Sequence, residues 1–344
     1  MLTKKDAKFI RETLLKAENP LFIYDNDPDG LCSYLLLRKF RKVGNGARLI
    51  GTKKVDLNFL KKIRAEKFDA LFILDIAEVD QELLDKMNCP VIWIDHHELV
   101  ERKKVHYYNP RIQNPELYVP TSFMAYQVTQ EKETQWIAMV GCISDWYLPG
   151  FAPKFIKEHP KLLKENSDVI KAFFKDKIGI LARALFFLLK GQTQEVSKNI
   201  RIISRLESPE EFIFQQTSQA KYLYKHFMKI DKEFQEHIKQ ARKQATRSKL
   251  MVYEYRFNRW SFNTLLANQL SAIYPKKALV IVRREDGLMK MSLRGPNILA
   301  PLHRALVGID GSGGGHIVSC GASVKEDDWQ RFIENLKREV QKEK

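Results

Sequence analysis

Short apolar runs alternate with amphipathic stretches over the first 145 residues. Leu21–Asp25, Ala47–Gly51, Ala70–Asp75 and Val91–Asp95 are dense in Val, Ile, Leu and aromatic residues and read as strands. Between them, Leu31–Lys42, Leu57–Glu66 and Gln81–Met87 carry the 3.6-residue period of helices. Strands that are apolar on both faces and separated by helices predict βαβ units around a mostly parallel sheet. From about residue 152 to 248 the pattern is helical. There Leu223, Phe227, Ile230, Phe234, Ile238 and Ala241 fall on one arc, opposite Lys221, Lys225, Lys229, Lys232, Lys239, Arg242 and Lys243. That is one long amphipathic helix, whose basic face suits a solvated surface as well as a nucleic-acid rail. Beyond it, Leu250–Tyr255, Ala278–Arg283 and Leu288–Arg294 read as strands, the last two joined by an Asp286-Gly287 turn. A helix near Ile298–Leu306 precedes the glycine-rich Gly311–His316, and a charged helix runs from Glu326 to the end. The expected division is residues 1–150, a helical connection over 151–248, and a smaller α/β domain over 249–344.

Composition narrows the function. The 344 residues are 44% hydrophobic and 29% charged, a globular mixture rather than a disordered or fibrous one. The longest apolar stretch, Ile178–Leu189, is too short to span a bilayer and contains Arg183. Cys32, Cys89, Cys142 and Cys320 form no CxxC pair, and the N-terminus lacks an apolar leader, so a reduced, cytoplasmic setting is expected. A net charge of +16 favours a polyanionic partner.

Three of the predicted strands end in acid: Asp25, Asp75 and Asp95. Ligands of an open parallel sheet gather outside the carboxyl ends of its strands, so these carboxylates should share one edge. Like charges so placed take up protons or bind a cation. Asp27 and Asp29 add to the first strand end, His96 and His97 to the last. Oxygen ligands mixed with imidazole suit Mn²⁺ or Mg²⁺. Asp25–Gly30 also matches the start of a calcium loop, but its twelfth position is Leu36, where such a loop needs Glu. For Asp75 taken alone, helix capping explains the residue as well as metal binding does.

Asp27-Pro-Asp29-Gly30, the lone Asp75, Asp95-His96-His97 and Gly141-Cys-Ile-Ser-Asp145 resemble, in order, the four motifs of the DHH phosphoesterase family. Ser292-Leu-Arg294-Gly295 and Gly313-Gly314-Gly315-His316 resemble its DHHA1 partner domain. The family includes RecJ-type exonucleases, oligoribonucleases and exopolyphosphatases, and the compact length is most like the short archaeal RecJ-like nucleases and the oligoribonucleases. The resemblance implies a two-metal site for Mn²⁺, with Mg²⁺ as the alternative. Asp27 would hold one ion and Asp29 the other, Asp75 would bridge them, and His96 and Asp145 would complete the second site. Asp25 stands as a further ligand to the first. His97 would contact the scissile phosphate or attacking water, and Asp95 would orient the histidine pair. Ser292, Arg294, Gly313, Gly314, Gly315 and His316 would bind substrate, with a helix starting at His316, although the residues alone fit a strand equally.

The implied activity is a metal-dependent exonuclease on single-stranded RNA or DNA. The alternatives are an oligoribonuclease or cyclic-dinucleotide phosphodiesterase, or a replisome-associated structural partner. Other replication or repair proteins are further expected partners, and no membrane is. Tyr253, Tyr255, Phe257 and Trp260 could stack on bases, with at least half of them expected in the core.

Overall fold

The computed structural model describes residues 1–52, 54–63, 67–256 and 259–343. They form two compact units, Met1–Phe227 and Met228–Lys344. The architecture is the α/β one expected from the sequence: a parallel N-terminal sheet, a helical middle and a mixed C-terminal sheet. No helix among the described residues is long and apolar enough to cross a membrane.

In the first unit α1 (Lys4–Lys16) leads into β1 (Pro20–Asp25), α2 (Pro28–Arg41) and β2 (Asn45–Leu49). A two-residue strand, β3 (Lys54–Val55), and α3 (Leu57–Lys62) follow, and the sheet resumes with β4 (Ala70–Leu74). The predicted end of α3 at Glu66 lies outside the described residues. Next come β5 (Glu78–Val79), α4 (Gln81–Asp85), β6 (Val91–Ile94) and β7 (His106–Tyr108). The main sheet is parallel throughout, in the order β2-β1-β4-β6-β7, while β3 and β5 pair separately. β4 and β6 are buried along their whole length, as continuous apolar runs require. Leu21, Ile23, Leu71, Ile73 and Trp93 pack on one face against Phe59, Leu83 and Leu84. On the other face Phe22 and Phe72 stack at 5.2 Å.

The strand order changes direction between β1, whose chain continues to β2 on one side, and β4 on the other. That is the topological switch point, where a crevice opens at the strand ends. Asp25 ends β1, and Asp75 and Asp95 directly follow β4 and β6, so the fold brings the acidic positions to one edge. Gly30 permits the close start of α2, because a Cβ there would lie 2.7 Å from the Asp25 carbonyl oxygen. Two helices complete the cradle, α5 (Thr121–Thr129) and α6 (Gln135–Ser144). At Gly141 a Cβ would come 2.5 Å from Ser122 Oγ and 2.9 Å from Cys32 Cβ, so only glycine lets α6 sit this close to α5 and α2.

Five further helices follow: α7 (Ala152–Glu158), α8 (Val169–Phe174), α9 (Lys177–Leu188), α10 (Thr193–Ile203) and α11 (Pro209–Ile213). The long amphipathic helix is α12 (Ser218–Lys243), with its six apolar positions buried and its seven basic ones exposed.

The second unit contains β8 (Leu250–Arg256), α13 (Asn263–Ile273), β9 (Ala278–Glu285), β10 (Leu288–Arg294) and α14 (Leu299–Ala305), then β11 (Gly311–His316), β12 (Ser319–Lys325) and α15 (Trp329–Lys342). Its sheet runs β11-β12-β10-β9-β8, parallel only between β8 and β9. Asp286 and Gly287 both take positive φ, 51° and 72°, as a tight turn between β9 and β10 requires.

One expectation needs correction here. No helix starts at His316; Gly311–His316 is an edge strand paired antiparallel with β12. Three consecutive glycines oppose a helix by roughly 1 kcal/mol each. Gly315, at φ 142° and with a Cβ position 2.5 Å from the Ser319 oxygen, suits the close approach of this hairpin. Tyr253, Tyr255 and Trp260 are core residues, 1%, 6% and 5% exposed, as expected for at least half of these aromatics, so none of the three can stack on bases. The Tyr253 hydroxyl is 2.8 Å from His237 Nδ1, and the Tyr255 hydroxyl donates to Asn263 Oδ1 at 2.8 Å. Phe257 lies outside the described residues.

Gly30→Ala should therefore destabilise the N-terminal unit by about 1–3 kcal/mol, read as a lower urea midpoint, because the clash is with backbone.

Candidate metal centre

The first strand end supplies three carboxylates through local structure. Asp27 is the N-cap of α2, its Oδ1 accepting from Gly30 N at 2.9 Å, with Pro28 at the first helical position. Asp29, 1% exposed, lies in the first turn. Its carboxylate also accepts the first amides of α5, from Thr121 N at 2.8 Å and Ser122 N at 3.1 Å, and takes the Ser122 hydroxyl too. A helix N-terminus favours such a negative group.

Asp75 has φ 60°, a left-handed conformation that Asp tolerates better than most residues. It is 1% exposed and accepts from Thr121 Oγ1 at 3.2 Å. His96 Nε2 is 3.2 Å from Asp75 Oδ1, and His96 Nδ1 is 3.6 Å from Asp145 Oδ2. Asp145 follows α6 and is itself held by the Tyr118 hydroxyl, which donates to its Oδ2 at 2.5 Å. The Tyr118 ring also lies 5.1 Å from that of His96. Trp146, next in the chain, sits at φ 59° against Phe173, a strained conformation for a bulky residue of the kind found beside functional sites.

Asp95 is fully buried, and it anchors His97 rather than the pair: its Oδ1 is 2.7 Å from His97 Nδ1 and its Oδ2 accepts from His97 N. Asn109 adds a bond to the His97 carbonyl, while Arg111 bonds the carbonyl of His96. His97 Nε2 is thereby directed while the side chain stays 44% exposed.

Three overlapping groups bring ligand atoms within 4.8 Å of one another: Asp25, Asp27 and Asp75; Asp29, His96 and Asp145; and Asp75, His96 and His97. Burial and the neighbouring Asp75 charge push Asp25 up to about 6. Burial and the same neighbour drive Asp27 and Asp29 well above the ordinary carboxylate range. Burial would raise Asp75 as well, but its bond to His96 outweighs this and lowers it. For His96, burial acts downward and the bond to Asp75 upward, with a net rise to about 10. Such a cluster suits divalent cations. The donor set is oxygen-rich with imidazole, and the buried Nδ1 of His96 has no hydrogen-bond partner. A cation would supply the missing partner and relieve the repulsion.

Of the other sequence-predicted site residues, Ser292, Arg294, Gly313, Gly314, Gly315 and His316 all lie in the second unit. Arg294 and His316 both pair with Ser319, placing them at one end of the sheet about 10 Å apart, two strand spacings. Arg294 Nε donates to Asn268 Oδ1 at 2.7 Å, which fixes the guanidinium, and Ser292 is 9% exposed. Sequence reasoning missed Tyr118, Thr121, Ser122, Asn109 and Arg111. Pro120-Thr-Ser reads as a helix start, but nothing local shows that its amides meet Asp29.

Three outcomes follow from the site's charges and hydrogen bonds. Asp25, raised above its unfolded value, contributes stability below about pH 4 that is lost as pH rises through about 6. Metal-free protein should thus melt higher at pH 5 than at pH 7.5, and Mn²⁺ should raise the neutral-pH melting temperature. Asp27→Asn keeps a good cap and removes a charge. It should raise the metal-free melting temperature by a few degrees, at roughly 2–4 °C per kcal/mol, and shrink the Mn²⁺ shift, both read by calorimetry. Tyr118→Phe, which frees Asp145, should weaken Mn²⁺ affinity by roughly 10-fold in isothermal titration.

Comparison with curated proteins gives no significant sequence match. Solved structures do share the fold. RecJ from Thermus thermophilus in complex with Mn²⁺ superposes with a TM-score of 0.70 at 15% identity, covering 98% of this chain and 54% of that one. The chain thus spans about half the length of that relative. An exonuclease RecJ bound to manganese gives 0.66 at 15% identity, covering 98% and 94%. CDC45 from Entamoeba histolytica gives 0.51 at 11% identity, covering 97% of each. At these identities the likeness is one of fold. The sequence itself matches the N-terminal domain of the DHH family over residues 21–144 and the DHHA1 domain over 263–342. The chain belongs to the DHH family of phosphoesterases, with a DHHA1 domain following its DHH domain.

Proposed function

We propose that the protein is a metal-dependent phosphodiesterase that removes nucleotides from an end of single-stranded RNA or DNA. The observation that carries this reading is the buried His96 Nδ1, which has no hydrogen-bond partner among the described residues and lies 3.6 Å from Asp145 Oδ2, amid carboxylates that repel one another. Asp25, Asp27 and Asp75 would hold one divalent cation and Asp29, His96 and Asp145 a second, with Asp75 near both groups. Mn²⁺ suits the His96 imidazole better than Mg²⁺ does. Two such ions, when bound, lower the pKa of a water and neutralise charge on the phosphoryl oxygens.

The remaining work falls to the chain. Asp95 fixes His97 through both its ring and its backbone amide, while the side chain stays 44% exposed and Nε2 is left free of Asp95. Burial acts to lower the His97 pKa, but the bond to Asp95 prevails and raises it, favouring a protonated imidazole that can donate to a phosphoryl oxygen. Thr121 and Ser122 hold Asp75 and Asp29 in place, leaving little reorganisation for the reaction. In the second unit, Arg294 and His316 at one sheet end, with Ser292 and the Gly313–Gly315 backbone nearby, would hold a phosphate of the strand end. The net charge of +16 suits a nucleic-acid chain.

With Mn²⁺ present, 5′- and 3′-labelled RNA and DNA of several lengths should shorten from one end. Asp75→Ala and His96→Ala should each reduce that rate by on the order of 10³-fold, and His97→Ala by roughly 10²-fold or more, with circular dichroism unchanged. Wild-type turnover by either ligand variant contradicts the assignment. Degradation confined to dinucleotides would restrict the substrate to very short chains.

A further inference from the structure

The first unit also holds a cavity apart from the metal cluster. It is an open groove of about 1300 Å³ along β2, the edge strand of the parallel sheet, bounded by α3 and α10. Arg48, Lys62, Lys67 and Arg201 reach it, and no carboxylate lines it among the described residues. An acid-free lining is a choice of anion, since surface cations elsewhere on this chain commonly pair with Glu or Asp. Arg48 is the telling member. Its guanidinium is half-buried, and burial draws its pKa below the usual range, yet it forms no ion pair among the described residues. Its Nη1 instead donates to Asn26 Oδ1 at 2.9 Å. Asn26 stands between Asp25 and Asp27, so the groove meets the metal-site loop at this bond. Ser197 on α10 and Ser204 just after it also line the groove.

β2 spans five residues, about 17 Å, which is longer than one phosphate needs and fits a few nucleotides of extended chain. A strand with its end at the cluster would have its next phosphates beside Arg48. Resting on the exonuclease reading, we propose that this groove holds the nucleotides of a single strand that lie beyond the scissile bond, their phosphates paired with Arg48, Lys62, Lys67 and Arg201. The groove would then set how much of a long substrate the enzyme grips.

Lys62 and Arg201 are exposed, so their reversal is compatible with folding. In EDTA, binding of a fluorescein-labelled 12-nucleotide RNA or DNA to the full chain should weaken at least tenfold in Lys62→Glu/Arg201→Glu. The slope of log affinity against log salt should fall by roughly 0.7 per lost phosphate contact. The strand should also protect amides 45–50 of the wild type from hydrogen exchange. Unchanged affinity and salt slope would overturn the proposal. So would protection of 45–50 by a Glu-rich decapeptide but not by the strand, because the exposed edge would then be a peptide site. Binding is read without metal, so failure of Mn²⁺-dependent cleavage would refute the catalytic reading and leave this result separate.

Discussion

Repulsion among buried carboxylates is the constraint on which the rest of the N-terminal unit depends. Asp29 and Asp75 are withdrawn from water at the switch point of a parallel sheet, half-buried Asp27 sits with them, and Asp25 and Asp145 add their charges. Sheet and helices would gain more stability from apolar residues at the same places. The surrounding structure offsets the cost. Amides at the start of α5 meet Asp29, the Gly30 amide meets Asp27, and His96 meets Asp75. Gly30 and Gly141 allow the three elements to approach closely enough for these bonds. What the described residues do not supply is a hydrogen bond for His96 Nδ1 or enough positive charge for the carboxylates, and that remainder is the shape of a cation site.

The histidines divide the labour. His96 is buried and turned toward Asp75 and Asp145, whereas His97 is pinned by Asp95 yet partly open. Adjacent residues leaving a strand end point in different directions, so one pair can serve both a metal and a substrate. Asp95, which the family resemblance assigns to both histidines, bonds only the second among the described residues, through the His97 ring and amide.

Much of this was legible in the sequence, and the parts that were not have physical reasons. β1, β4 and β6 carry continuous apolar runs, and α12 carries a long period, so local pattern and burial agree. Asp25, Asp75 and Asp95 were visible as acids at strand ends, and the parallel topology brings them together. β3, β5 and β7 span only two or three residues and have no period to read. Gly311–His316 is a strand because β12 pairs with it, which no local propensity conveys. The aromatic alternation in β8 already favours core packing for at least half of these residues, and α12 and α13 packed against it settle Tyr253 and Tyr255 in the core. Tyr118, Thr121 and Ser122 act across separations of 27, 46 and 93 residues, beyond the range of any motif.

The most direct test of the account is anomalous diffraction from crystals of the full chain soaked in Mn²⁺. Two peaks roughly 3.5–4 Å apart are predicted, one bounded by Asp25, Asp27 and Asp75 and the other by Asp29, His96 and Asp145, with His96 Nδ1 ligating. A cluster without manganese in crystals of protein that still cleaves phosphodiesters would contradict it.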